Sequence, residues 1–314
     1  MFQKLSFSED IQTIWNESYK LSASELPFLS YQWHKAYVET IGAKEKSSIF
    51  YDPELKTIIP LTQRSNQFLF SGEQEISDIQ DSIGPDSKKE VVWREFLTYC
   101  EVNNISDLFL TNISEISPTY RIFSSISPGK FTIAVNKRDT SPLIVLPKTY
   151  DEYLLTLSRK DRHELRRKIR RFHEDHPNSE IELCEDVPND LEILISLMKL
   201  DDRKKTFFTP SFEAFFKKIP QLFPEQVILQ ILCIDNHPAT AIIAFKSKNI
   251  FLLYNSGFDQ EHFPGAGFYL KAESIRWAIE HNFEEYNFLR GNERYKYELG
   301  GKDSGVYDIT IKKK

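Results

Sequence analysis

The sequence is poor in the residues that build extracellular scaffolds and metal centres. Its three cysteines, Cys100, Cys184 and Cys233, are widely spaced and odd in number. No C-x-x-C pair occurs, so neither a zinc site nor a disulfide framework is supported, and buried thiols of a reducing compartment are the reading. The histidines show no ligand spacing beyond the weak pair His173 and His176, and no metal site is expected. No run approaches the ~18 apolar residues of a membrane helix. The longest apolar stretch, near "PATAIIAF", fits a buried strand. The opening "MFQKLSFSEDIQTIW" lacks the apolar core and small-residue cleavage site of a secretory signal. A cytoplasmic protein without stable membrane insertion is the expectation. The G-x-S-x-G elbow, the P-loop and the dinucleotide fingerprint are missing too. Charge of one sign is not in great excess: 40 Lys and Arg face 46 Asp and Glu, a net −6. That balance argues against a nucleic-acid binder driven by overall charge, but leaves room for a local basic patch.

What the chain does hold is ample apolar material. Of 314 residues, 40% are hydrophobic and 13% aromatic, enough for one large domain or two ordinary ones. In "LPFLSYQWHKAYVETIG", Trp33, Ala36, Tyr37 and Ile41 follow helical spacing, with Gly42 as a C-cap. Strand-like "KTIIPLTQ" and "QFLFSG" follow, then a helix from about Ser87, its expected N-cap. "DLFLTN", "KFTIAVN" and "PLIVLP" read as extended. Alternating strands and helices predict a mixed α/β domain. A boundary near Pro142–Thr149 divides the chain into domains at 1–145 and 146–314. The second begins with one long helical stretch from Thr149 that Pro177 stops. It continues through a strand at Ile181–Cys184 and helices at Asp190–Asp201 and Ser211–Leu222. A meander of three strands, "QVILQILCI", "PATAIIAFK" and "NIFLLYNSGF", comes next. The amphipathic helix "PGAGFYLKAESIRWAIEHN", a strand "EYNFLRG", a helical turn and a last strand "GVYDITIK" complete it.

Three stretches stand out from plain fold. Gly265 and Gly267 open a helix straight after a strand and loop. Helix N-termini present unpaired N–H groups that suit phosphate, and glycine allows close approach. The same glycines also fit a tight loop that needs positive φ. The run Tyr286–Gly301 leaves a strand and at once sets out Arg290, Glu293, Arg294, Lys296 and Glu298 around Tyr295 and Tyr297. Such a cluster is either a site or an ion-pair network that pins the turn. Finally, Arg159–Arg171 carries eight Lys or Arg against two acidic residues, a surplus of six that leaves −12 on the rest. Leu165, Ile169 and Phe172 form its narrow apolar stripe. Its cationic faces read as a solvated arm, a phosphate site or a membrane-surface patch.

The order strand, G-x-G, helix, strand resembles the acyl-CoA site of the GNAT acyltransferases. The ending "FEEYNFLRGNERYKYELGG" resembles that of the CelD-type group, named for cellulose biosynthesis, with the FemAB group of peptidoglycan aminoacyltransferases as a relative. "LPFLSYQWHKAYVETIG", "IIPLTQR" and "LSRKDRHELRRKIRRF" are similar to further CelD-type segments, so the likeness runs from about Pro27 to Gly301. It implies an α/β (α+β) fold of two GNAT-like domains, each a mixed, largely antiparallel sheet flanked by helices. It implies an N-acyltransferase, and within that class an N-acetyltransferase, with acyl-CoA (acetyl-CoA) as co-substrate, no tightly bound cofactor, and an amine of a sugar, cell-envelope precursor or related metabolite as acceptor. Aminoacyl-tRNA is the donor that the FemAB likeness implies instead, and a non-catalytic binding module in polysaccharide assembly is the third reading. His262 stands where the GNAT phosphate loop carries Arg or Gln. Under this resemblance Asn255, Gly257, Gly265, Gly267 and Phe268 meet the donor. Glu293 is the expected general base, with Asp259 second. Lys296 steadies developing charge or phosphate. Arg290, Tyr295, Arg166, Arg167 and Arg170 contact substrate. The oligomeric state is not legible.

Overall fold

In the computed structural model, residues 1–72, 74–126 and 129–314 are described. The chain forms two compact units, residues 1–140 with 304–314, and residues 141–303. Each is built on its own mixed sheet with helices packed against it.

The first unit holds seven strands in the order Gln3–Leu5, Lys46–Asp52, Thr57–Arg64, Gln67–Phe70, Asp107–Ser114, Gly305–Lys313, Phe131–Thr140. Among the described residues of this sheet, only the contact of Gln67–Phe70 with Asp107–Ser114 is parallel. Phe2, Phe50, Phe70 and Phe123 surround Trp93 and Phe96 of the helix Lys89–Val102, and these rings form the core. Ser87 does not cap that helix. It lies inside a short 3-10 turn, Asp86–Lys88, that leads into it. Lys89 is buried there because its ammonium meets Asp81 at 2.8 Å and Asp86 at 3.0 Å.

The last strand departs from expectation. Gly305–Lys313 does not join the second sheet but inserts between Asp107–Ser114 and Phe131–Thr140 of the first. The expected division at 145/146 therefore shifts to 140/141, with residues 304–314 assigned to the first unit. The physical reason lies in the pairing: Val306, Ile309 and Ile311 of this strand, brought to burial across an irregularity between Tyr307 and Ile309, fill the first unit's interior.

The second unit has six strands in the order Leu143–Val145, Glu285–Asn287, Ile250–Phe258, His237–Ser247, Val227–Ile234, Ser179–Leu183. Asp235 and Asn236 turn the first hairpin of the meander with positive φ, a conformation that Asp and Asn tolerate. Ile242, Ala244, Phe251 and Leu253 share one core with Leu270, Ile275 and Ile279 of the helix Ala266–Glu280. The expected single helix after Thr149 is two, Tyr150–Thr156 and Arg159–Asp175. Ser158 interrupts it: extended itself, it caps the second helix by accepting the Asp161 N–H at 3.1 Å. The basic helix packs through Leu165 and Phe172, the latter stacked on Tyr269 at 4.1 Å. No described helix is long and apolar enough to cross a membrane.

Candidate active site

The strand Ile250–Phe258 runs parallel to Glu285–Asn287 only over Ile250–Leu252. Beyond Asn287 the shorter strand peels away. Asn287 Oδ1 accepts the Leu289 N–H at 2.9 Å, and Leu289 adopts a left-handed φ of 55°. Glu285–Asn287 is thus shorter than the expected "EYNFLRG" strand, and the sheet opens into a V. Along its other edge Leu253 pairs with Ala244 and Asn255 with Ile243, which leaves Tyr254 as the extra residue of a bulge. A bulge flips the alternation of side chains. Leu253 faces the helix Ala266–Glu280, and so, beyond the bulge, does Phe258, while Gly257 faces the helix Val187–Met198.

That orientation corrects the role expected of Gly257. A Cβ there would lie 2.5 Å from the Met198 nitrogen, so the glycine exists to let helix and strand touch. Asn255 does sit at the opening. Its Oδ1 accepts the Ser256 N–H at 3.0 Å and the Lys204 ammonium at 2.9 Å, while Lys204 also binds the Ser256 carbonyl.

The charged turn is built around Lys296. This side chain is 2% exposed, and its ammonium donates to the carbonyls of Leu289, Arg290 and Gly291 at 3.1, 2.9 and 3.0 Å. Glu293 Oε2 adds an ion pair at 2.9 Å. Lys296 therefore spends its donors on shaping the turn, and the expected contact with donor or phosphate gives way to a positioning role. Burial works to raise the Glu293 carboxyl, but the Lys296 ammonium outweighs it and holds the group below the ordinary carboxylate value. Glu293 is 58% exposed and ionised, a better electrostatic partner for a cation than a base for one. Tyr295 is half-buried against Phe288, its phenol pushed up by burial. Arg290 offers its carbonyl to Lys296.

Lys271, which sequence reasoning missed, is the other charged group here. It is 5% exposed, on the buried side of the helix Ala266–Glu280. Its ammonium has one hydrogen bond, to the Gly267 carbonyl at 3.2 Å, and lies 5.0 Å from the Tyr295 ring and 5.7 Å from that of Phe258. Burial, helped by Lys204 and Lys296 and opposed by Glu293, brings its pKa down to about 7. The sequence did carry a signal: Gly267, Lys271, Ser274 and Ala278 follow helical spacing on one buried stripe.

The glycine loop divides its two glycines between two duties. Gly265 caps the helix with φ of 92°, and a Cβ on it would meet nothing within 4 Å. Gly267 is covered: a Cβ would sit 3.2 Å from the Phe258 ring. Close approach of a ligand is thus open at Gly265 and not at Gly267. Asp259 is occupied in the loop itself. Its carboxylate accepts the His262 N–H at 3.0 Å and meets His262 Nδ1 at 2.8 Å, and these bonds hold its pKa down. A low pKa and two bonds within the loop suit a structural carboxylate rather than the second-choice base.

Across from Gly265 lies the basic helix. The two border a groove of about 660 Å³ lined by Arg167, Lys168, Phe172, His262, Gly265 and Phe268. Lys168 sits 4.0 Å over the Phe268 ring and pairs with Glu298 at 2.7 Å. Only Arg167 of the expected arginine trio lines this groove. Arg166 and Arg170 face a separate one, of about 500 Å³, beside Tyr150 and Arg276. Successive positions of a helix diverge by about 100°, so a basic run cannot aim all its charges one way.

Residues 159–297 match the family model of the acetyltransferase (GNAT) domain. The match marks this stretch, somewhat under half of the chain, as similar to a GNAT acetyltransferase domain. The match spans the basic helix, the meander, the glycine loop and the charged turn, all within the second unit. Among solved structures, a conserved protein of unknown function from Bacteroides thetaiotaomicron VPI-5482 is 13% identical, with 100% of each chain covered and a TM-score of 0.65. FemX is 9% identical over 98% of this chain and 96% of its own, with a TM-score of 0.64. A tandem GNAT protein from the clavulanic acid biosynthesis pathway is 12% identical over 98% of each chain, with a TM-score of 0.51. These likenesses are of fold. No curated protein matches the chain. Among the described residues, no group of His, Cys, Asp and Glu is placed to hold a metal ion.

Proposed function

We propose that the GNAT domain transfers an acyl group from acyl-CoA to a primary amine, with an amino sugar or a cell-envelope precursor as the acceptor class. The observation that carries this reading is the opened sheet. Strand Ile250–Phe258 leaves its neighbour after Leu252, next to a helix N-terminus at Gly265 and a groove bordered by Arg167 and Lys168. An acyl donor laid in that groove places its phosphates near cationic side chains and its carbonyl toward the opening. Direct attack by an amine then needs orientation, removal of protons and polarisation of the carbonyl. Phe268 and Lys168 offer one wall for the donor. Glu293, ionised and exposed, offers the acceptor's ammonium a counter-charge.

FemAB-type transfer from aminoacyl-tRNA is the second reading. His262, tied to Asp259, stands at the loop position where an acyl-CoA site carries Arg or Gln, and the FemX likeness covers nearly the whole chain. Both donors are cytoplasmic pools, and the reading places the reaction there.

Calorimetric titration with CoA and acetyl-CoA separates the two. The acyl-CoA reading expects saturable binding at about 1 µM to 1 mM, the usual range for enzyme substrates. Absence of binding by both, together with binding of aminoacyl-tRNA, would overturn it in favour of the second.

A further inference from the structure

The geometry points to Lys271 as the general base that takes the proton from the acceptor's ammonium, an assignment that rests on the acyl-transfer reading above. Three observations support it. First, Lys271 Nζ lies near the rings of Phe258, at the end of the strand beyond its divergence from Glu285–Asn287, and Tyr295, on the turn that follows the shorter strand, and is buried from bulk solvent. Second, its single hydrogen bond is one that a neutral amine makes as well as an ammonium, donating to the Gly267 carbonyl. The nitrogen keeps its lone pair for a proton. Third, the charges that face it are arranged against a second cation. Lys204 on the helix Asp202–Lys205 and Lys296 on the charged turn oppose a charge on Lys271, and Glu293 alone favours one. Burial adds to the two lysines and brings the group to about pH 7, where a base both holds and releases a proton readily. The carboxylates expected to do this work are worse placed. Glu293 is held ionised by Lys296, and Asp259 by His262.

The step balances as follows. The acceptor arrives as R–NH3+ beside Glu293 and passes one proton to the neutral Lys271. The free amine attacks the acyl carbonyl, a C–N bond forms, and the C–S bond of a thioester, or the C–O bond of an ester, breaks. A second proton from the attacking nitrogen ends on the leaving thiol or hydroxyl. Lys271 then gives its proton to water. The acceptor class that follows is a primary alkylamine, charged at neutral pH and in need of such a base; an aniline or a hydroxylamine, neutral already, gains nothing from it.

Competitive trace labelling tests the assignment on the intact chain. Isotopic acetic anhydride is reacted across pH 5.5–11, and each lysine is read by peptide mass spectrometry. Lys271 is expected to label with a midpoint near 7, against about 10.4 for ordinary lysines. Lys271→Arg should remove that low-midpoint signal and leave the other lysines unchanged. A midpoint near 10 would overturn the assignment, and so would failure to label while exposed lysines react. A group that stays charged, or that a small reagent cannot reach, does not deprotonate a substrate. Repeating the reaction with acetyl-CoA present distinguishes the two proposals. Protection of Lys271 supports both. A midpoint near 7 without protection supports the base and removes acyl-CoA as the donor.

Discussion

Replacing Lys271 by Met removes a buried cation and leaves an unbranched apolar side chain one atom shorter. The cost of that cation follows from its displaced pKa, from 10.5 in an open chain to about 7 in the fold. Below pH 7 both states bind the proton, and the folded one bears the whole penalty of roughly 5 kcal/mol, at about 1.4 kcal/mol per pH unit. Between 7 and 10.5 the unfolded chain holds more protons than the folded one, so stability rises with pH across that window. Linkage over these two values gives a penalty of roughly 5 kcal/mol at pH 6 and roughly 2 kcal/mol at pH 9. The stabilisation of Lys271→Met relative to wild type should therefore be larger at pH 6 than at pH 9 by about 3 kcal/mol. Urea unfolding of both proteins at the two pH values measures it, and titrating groups that do not interact with Lys271 cancel in the double difference. An equal effect of the substitution at both pH values would refute the reasoning, because it would mean that Lys271 titrates alike in the folded and unfolded chain.

Lys296→Met should act in the opposite sense. It strips the carbonyls of Leu289, Arg290 and Gly291 of their shared donor, and at about 1–3 kcal/mol for each buried polar group left unpaired the second unit should lose at least ~3 kcal/mol. Thermal unfolding checks this, and an unchanged midpoint would return Lys296 to a role in the chemistry alone. Arg167→Gln should weaken CoA binding about tenfold, the worth of one charge-assisted hydrogen bond, whereas Arg166→Gln with Arg170→Gln should leave it within about twofold because they line the other groove. Calorimetry on the variants reads both, and equal losses would place all three arginines on one ligand.

Much of the second unit could be read directly from its residues. The meander is an alternation of apolar runs and turn residues, and the structure places its strands at Val227–Ile234, His237–Ser247 and Ile250–Phe258. The helix Ala266–Glu280 likewise follows its glycines. What escaped depends on partners distant in sequence. "KSSIFYD", the strand Lys46–Asp52, is a short mixed stretch that becomes a strand by pairing with Thr57–Arg64 and Gln3–Leu5. The destination of Gly305–Lys313 is set by neighbours nearly two hundred residues earlier, as in the bond from the Asn112 N–H to Asp308. At the site, the charged turn was legible as a cluster but not as a clamp, since composition cannot say whether a lysine faces ligand or backbone. Lys271 looked like one polar residue on an amphipathic helix. Its burial became visible only with Phe258 and Tyr295 in place. The arginine trio failed for a simpler reason: spacing along the helix was given more weight than direction around it.

The strand Gly305–Lys313 also has a consequence for how the chain is made. It is an interior strand of the first sheet, yet it is synthesised after all of residues 141–303. During translation the first unit emerges with its sheet divided, Phe131–Thr140 on one side of a vacant lane and Asp107–Ser114 on the other. Residues 141–303 can reach their final pairing while that lane is still open, because every strand they use lies within that span. The nascent chain thus completes its second unit before its first, the reverse of the order in which the two begin to leave the ribosome. A stop codon after Asp303 would spare every residue of the candidate site and still leave two backbone edges exposed in the first sheet, a substrate for chaperones and for strand exchange between copies.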